Sequence, residues 1–397
     1  MKIQRRAARG AAAALAILAY GGAGPKAALA ADGAVLTAAA TRAEAAAVRA
    51  YWTPERLASA QPLDVVTANT FESGDAVAPP MGPTDVVPGA PPSAPYDDSL
   101  AEQLYLPSGR DELRTAAVGS IGQRYPYTID RLYPCRGSGC PTSSNSYSNV
   151  WAFYPYQIVG KLYFDIGTPK NPQPKLCSAS VIRRSVIGTA GHCVSDGKGH
   201  FYSKWLFVPA EHGGLAPFGK WDWTQVVVTG PWLHGGGTFP NKQDDALIVL
   251  AANSSRQKIG NITGYLGYEY NAPLPTHLTQ LGYPCNLDGC IDPIRDDSQV
   301  YSGPSNNFEW GTAAFFGASG GPEIQDFGQQ PSHDPGTPPF EAFGGNVLIS
   351  STSYTYPNYN AVQVDGGSIL AAPGQFGGTL NTFGDLIKFV CATPGNC

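Results

Sequence analysis

Charge is scarce in this chain. Only 14% of its 397 residues are charged, against about 25% in an ordinary soluble domain. The formal net charge of −5 supplies no strong basic field, so nucleic acid is not an expected partner. Long apolar runs are also lacking. No stretch reaches the roughly 18 apolar residues that a membrane span needs, and no membrane partner is expected. Uninterrupted helix-forming sequence is rare, because 47 glycines and 35 prolines punctuate the chain. With 20 Tyr, 16 Phe and many Thr and Val, the balance favours strands and turns. No cysteine pair reads as half of a zinc site, and neither a metal nor another cofactor is expected.

What is present begins with an export signal. Lys2, Arg5, Arg6 and Arg9 form a basic start, Ala11 to Tyr20 a short apolar run, and Ala28-Leu29-Ala30 a small-x-small cleavage site. Residues 1–30 thus read as a signal peptide and the protein as secreted and extracellular. Eight cysteines fit that oxidising destination. They admit roughly a hundred pairings. Nearest neighbours are the expected partners: Cys135 with Cys140, Cys177 with Cys193, Cys285 with Cys290, and Cys391 with Cys397.

Residues 31–150 form an N-terminal extension, read as a pro-region. Ala31 to Ala60 is rich in Ala, Glu and Arg and reads as helical, with Thr53-Pro54-Glu55 as a capped helix start. Seven prolines within residues 70–98 predict an extended linker. Leu100 to Leu106 reads as a short helix capped by Ser99. From about residue 156 the chain becomes a series of short β-type runs: 158–164, 179–182, 186–190, 205–208, 225–228, 246–250, 278–283, 313–316 and 347–351. Many short strands with turn signals predict a sandwich or barrel. Asp296-Asp297 reads as an exposed turn, Leu386 to Cys391 as a terminal helix or core segment, and the Trp-rich residues 205–232 as packing.

Three stretches carry chemistry. Gly317-Ala318-Ser319-Gly320-Gly321-Pro322 sets a serine among glycines, which permit a tight turn and leave nearby N–H groups free. Thr189-Ala190-Gly191-His192-Cys193 follows an apolar strand. A Cys177–Cys193 bridge would pin the histidine, as a general base requires. Gln243-Asp244-Asp245 opens an apolar strand with two acids, and a buried acid needs a partner such as a histidine N–H.

These stretches, in the order His, Asp, Ser, resemble the chymotrypsin-like serine proteases, and their secreted bacterial branch in particular. The resemblance covers residues 157–397. Gly282-Tyr283-Pro284 is similar to secreted members that include the glutamyl endopeptidases, and Tyr51 to Leu57 to the N-terminal regions of bacterial trypsin-like peptidases. The resemblance implies an all-β fold of two packed six-stranded antiparallel β-barrels, residues 157–260 and 261–397, behind a partly helical extension. It implies Ser319 as nucleophile, His192 as base and then acid, Asp244 as the orienting acid with Asp245 as the alternative register, and the N–H groups of Gly317 and Ser319 as oxyanion hole. Ala313, Ala314, Ser350 and Ser351 would line the substrate pocket.

Two departures stand out. Ala318 replaces the aspartate that usually precedes the serine and that pairs with a new N-terminus in trypsin-like zymogens. Ala313 replaces the aspartate that selects Lys or Arg, so an uncharged P1 residue is expected. The sequence therefore predicts a monomeric secreted serine endopeptidase acting on protein or peptide substrates. A catalytically silent binding module on the same fold is the alternative. An esterase elbow is a third reading, disfavoured by chain order.

Overall fold

The computed structural model describes residues 26–28, 37–63, 65–68, 85–94, 97–106, 125–131, 154–274, 276–328, 345–358 and 362–397. Nearly all of the expected signal peptide and the Cys135–Cys140 pair lie outside these residues. The protein is built on two β units. The first has six strands: β1 (Val159–Asp165), β2 (Pro174–Arg183), β3 (Val186–Ala190), β4 (Ser203–Pro209), β5 (Trp221–Val228) and β6 (Asp245–Leu250). They pair antiparallel in the order β5-β4-β1-β2-β3-β6, and β6 returns to β5 to close a barrel. Their β-branched and aromatic side chains suit a surface buried on both faces: every residue of β1, β3 and β6 is buried.

The second unit repeats the plan. Its strands are β7 (Thr276–Gly282), β8 (Ile294–Gly303), β9 (Asn307–Gly311), β10 (Pro322–Gln325), β11 (Val347–Ser351) and β12 (Val364–Ser368). They run β12-β9-β8-β7-β10-β11, the same order as in the first barrel. The β11–β12 seam carries no ladder. It is bridged by the Leu370 N–H to Ile349 O at 3.4 Å and by the Ser350 hydroxyl to Ser368 O at 2.8 Å. A helix, Phe383–Cys391, capped by Thr382 and Asp385, packs against β6. The Cys177–Cys193, Cys285–Cys290 and Cys391–Cys397 disulfides are formed as expected.

The extension is woven into both units. Thr37–Ala39 adds a strand to β5. Helix Arg42–Tyr51 follows, started by a Thr41–Glu44 capping box, and Pro54–Ser59 by Thr53 as expected. Trp52 is buried, its indole N–H donating to Lys204 O at 2.6 Å. Gln61–Pro62 pairs with β2, Asp85–Val87 with Gly267–Tyr270, and Tyr127–Arg131 with β8. Tyr105 reaches the buried Lys161–Glu211 pair, its hydroxyl donating to Glu211 Oε1 at 2.8 Å.

Four local expectations fail. Residues 37–39, read as helical with the rest of 31–60, form a strand because the edge of β5 takes their backbone. Residues 100–106 are not helical. Asp97, not Ser99, caps one 3₁₀ turn at Asp98–Leu100, and Glu102–Gln103 then joins Leu215–Ala216, because an open strand edge there takes the backbone. Residues 313–316 are loop. The Asn286 amide replaces ladder partners, accepting from Phe315 N–H and donating to Ala313 O. Asp296 is no exposed turn. It sits on β8, where alternate residues turn inward, and is 1% exposed, while Asp297 pairs with Arg295 outside.

Asp296 belongs to a group of wholly buried carboxyls with Glu323 and Asp365. Burial pushes all three well above the usual range; neighbouring carboxylates add to this for Asp296 and Glu323, while hydroxyl and amide donors offset it only in part. The fold thus holds protons that the unfolded chain releases above about pH 4. This contribution to stability is fully present below that pH and is lost as pH rises through the folded-state values. Asp365→Asn should therefore melt increasingly above the wild type as pH goes from 4 to 8 in thermal denaturation. A pH-independent difference would count against neutral burial.

Candidate active site

His192 sits where β3 runs into a single turn, Gly191–Cys193. Position 191 tolerates no side chain, since a Cβ would lie 2.7 Å from Trp232 Cγ and 2.8 Å from Asp244 Oδ1. The Cys177–Cys193 bridge, across a separation of 16 residues, ties this turn to β2. Closing such a loop contributes about 3 kcal/mol on entropic grounds. His192 is 2% exposed. Its Nδ1 lies 2.7 Å from Asp244 Oδ2, and its backbone N–H donates to Asp244 Oδ1 at 2.8 Å.

Asp244 stands one residue before β6 and is itself anchored. Its N–H donates to Ser368 Oγ at 2.8 Å, its carbonyl accepts from Gly191 N–H at 3.0 Å, and Ser353 Oγ donates to Oδ2 at 2.6 Å. An ionised carboxylate only accepts, so the imidazole proton belongs on Nδ1 and leaves Nε2 as a lone-pair acceptor. Nε2 is buried without a hydrogen-bond partner. The edges of Trp232 and Phe239 flank the ring, with centroids at 6.1 and 5.5 Å. Asp245 points elsewhere. Burial pushes its carboxyl well up, and the charge of Asp244 adds to this.

Ser319 lies in the loop between β9 and β10. Gly317 and Gly320 hold positive φ, 103° and 75°, which favours glycine at both. Ser178, next to Cys177, clamps this loop: its N–H donates to Ser319 O at 2.7 Å, and its hydroxyl donates to Gly317 O at 2.8 Å. Gly320 rests on Thr189 and Ala190, where a Cβ would run into the Thr189 hydroxyl and the Ser178 carbonyl. The serine loop therefore abuts the strand end that carries His192. Among the described residues the N–H groups of Gly317 and Ser319 donate to no protein acceptor, and no hydrogen bond joins Ser319 Oγ to His192 Nε2.

The four expected pocket residues fall in two places. Ala313 and Ala314 are buried beside the serine loop, with Ala314 packed against Leu287, Ile294 and Ala318. Ser350 and Ser351 lie in β11, where Ser350 joins the seam and Ser351 pairs with Pro322. The next two residues reach the site instead. Thr352 accepts from Gly320 N–H at 2.7 Å, and Ser353 holds Asp244. Ser353, Ser368 and Ser178 were not read from the sequence, because an isolated serine has no spacing that marks it. Among the described residues one group has the closeness of a metal site, Cys177, His192 and Cys193. Its two sulfurs are joined in the disulfide, which leaves no thiolate to ligate an ion.

No protein-family profile matches the chain. Over 134 residues it is 28% identical to the glutamyl endopeptidase of Bacillus licheniformis, covering 33% of this chain and 37% of that one. Over 222 residues it is 24% identical to an extracellular metalloprotease of Bacillus subtilis, covering 55% and 62%. The chain thus spans less than two thirds of either relative. Among solved structures it is similar to the protease Anisep of Arthrobacter nicotinovorans, with a TM-score of 0.46 and 23% identity over 57% of this chain and 95% of that one. A thermostable serine protease, AL20, from an extremophilic microorganism gives a TM-score of 0.44 and 21% identity over 54% and 92%. A Glu endopeptidase gives 0.45 and 18% over 61% and 94%. In the order of its motifs and the topology of its barrels, the chain resembles the bacterial chymotrypsin-like serine proteases.

Proposed function

We propose that this protein is a secreted serine endopeptidase using Ser319, His192 and Asp244. One observation carries the reading: a buried imidazole is oriented through Nδ1 by Asp244, and its unpartnered Nε2 belongs to a strand end that touches the serine loop. In the proposed reaction Ser319 Oγ attacks the peptide carbonyl carbon while Nε2 takes its proton. The oxyanion forms against the N–H groups of Gly317 and Ser319, which have no competing acceptor among the described residues. His192 then gives the proton to the leaving amine, and the ester bond to Ser319 remains. Water, deprotonated by the same nitrogen, hydrolyses that ester.

The uncharged wall of Ala313 and Ala314 supports a preference for an uncharged P1 residue. The leader, the disulfides and the extracellular relative support export, and the reading includes a monomeric enzyme whose extension, residues 31–150, acts as a pro-region.

Three substitutions test these roles. Ser319→Ala should lower kcat on casein by about 10⁶-fold and abolish labelling by a sulfonyl fluoride; full hydrolysis by this variant would sink the assignment. Asp244→Asn should reverse the favoured tautomer and cost about 10⁴-fold in kcat, measured with a chromogenic peptide. Ser353→Ala removes a hydrogen bond to a charged group, and urea titration should show about 1.5–3 kcal/mol less stability.

A further inference from the structure

Ser353 is followed by a two-residue strand, Tyr354–Thr355, one side of which pairs with Gly366 and Asp365 of β12. Its other side is an edge beside the candidate site, with the backbone groups of Thr355 facing away from the barrel ladder. Three residues of the N-terminal extension occupy that edge. Thr67 N–H donates to Thr355 O at 2.9 Å, and Thr355 N–H donates to Val65 O at 3.3 Å. Val66 bridges Thr355 in the parallel sense.

The segment alternates as a strand does. Val65 packs against the cluster that holds Tyr354 and Phe239. Val66 is 40% exposed and Thr67 is 2% exposed. The hydroxyl of Thr67 crosses to the first barrel and donates to Phe239 O at 3.0 Å, and the ring of Phe239 leans on His192. Three residues thus link the wall beside the histidine to the strand beside the residue that holds Asp244. An extended peptide laid along this edge needs the same Thr355 N–H and C=O, since strand addition draws its affinity from main-chain hydrogen bonds.

We propose that Val65–Thr67 is a built-in occupant of a peptide-binding edge, and that the intact chain is held closed there by its own extension. The ligand of the vacated edge is an extended peptide, with a β-branched apolar residue in the place of Val65 and a small hydroxyl residue in the place of Thr67. This deepens the protease reading and rests on it for the assignment of the edge to substrate.

The test uses the full-length chain in a Ser319→Ala background, so that binding is read without turnover. A fluorescent hexapeptide with the sequence of residues 63–68 is titrated by anisotropy into that protein and into versions that also carry Thr67→Pro or Thr67→Val. Proline removes the N–H that Thr355 accepts, and valine removes only the hydroxyl bond. A tethered strand competes at about millimolar effective concentration. Thr67→Pro should therefore bind the peptide at least about tenfold more tightly, with Thr67→Val between it and the parent. Should the proline variant fail to fold, the valine variant decides alone. Equal affinity in the folded variants overturns the proposal.

A second readout separates this outcome from failure of the protease reading. With Ser319 restored, Thr67→Pro should hydrolyse a long peptide at least about tenfold faster, while labelling by a small sulfonyl fluoride stays unchanged. Loss of labelling in every version would strike the protease reading and leave the binding titration to judge the edge. Labelling with unchanged hydrolysis would strike the inhibitory role.

Discussion

Everything at the candidate site depends on one buried carboxylate. Asp244 is 1% exposed, and an ion in such a place is tolerated only when it is well supplied with donors. It takes two hydrogen bonds from His192, one from the ring and one from the backbone, and a third from Ser353. The first two donors belong to barrel one and the third follows β11 of barrel two. The carboxylate therefore joins the two units beside the His192 imidazole. Its surroundings follow from that position. Gly191 lacks a side chain because Asp244 Oδ1 and Trp232 fill the space. Ser368 fixes the backbone of Asp244, and the Cys177–Cys193 bridge holds the histidine turn from behind.

The other deep carboxyls show what happens without such donors. Asp245, next in sequence, is equally buried but leaves Oδ2 without a partner, and its carboxyl is pushed well up. Asp296, with neither carboxyl oxygen partnered, Glu323, held by the Thr352 hydroxyl through one oxygen, and Asp365 are pushed up likewise. The same side chain thus serves two purposes. Supplied with N–H and O–H donors, it holds the His192 imidazole by Nδ1. Poorly supplied, it is pushed toward its neutral form by burial, in barrel one at Asp245 and in barrel two at the other three.

This contrast also explains what the sequence reveals. Barrel one was legible because its strands are apolar on both faces, and runs such as Ala246 to Leu250 cannot be mistaken for loop. In barrel two, β8 alternates, but the inward positions include Asp296, Ser298 and Ser302, so the period carries no hydrophobic signal. Ala313 to Phe316 has strand composition, yet the Asn286 side chain takes its backbone groups. The stretches around Ser319 and His192 were legible because glycine and cysteine constrain the backbone there, and Asp244 because two acids open a wholly apolar strand. Ser353 was hidden in a run of similar residues, and its importance comes from a partner 109 positions away in sequence.

Ala318 shifts the question of control to the extension. Its side chain is buried with Ala314, Leu287 and Ile294, and Ile129 of the extension packs on the same group. The alanine itself offers no counter-charge to an ammonium group. The serine loop is instead braced by a strand of the extension that pairs with β8 over five residues. Trp52, Tyr105 and the strand at residues 37–39 tie the same extension to barrel one. Fully burying one large apolar side chain is worth about 1.5–3 kcal/mol, and several such contacts act together. The extension is thus held to both barrels at several separate strand pairings. The short segment at residues 65–67 is held by Thr355 and Phe239 on one edge, whereas the Trp52 and Ile129 segments pack into the barrels that carry the candidate site.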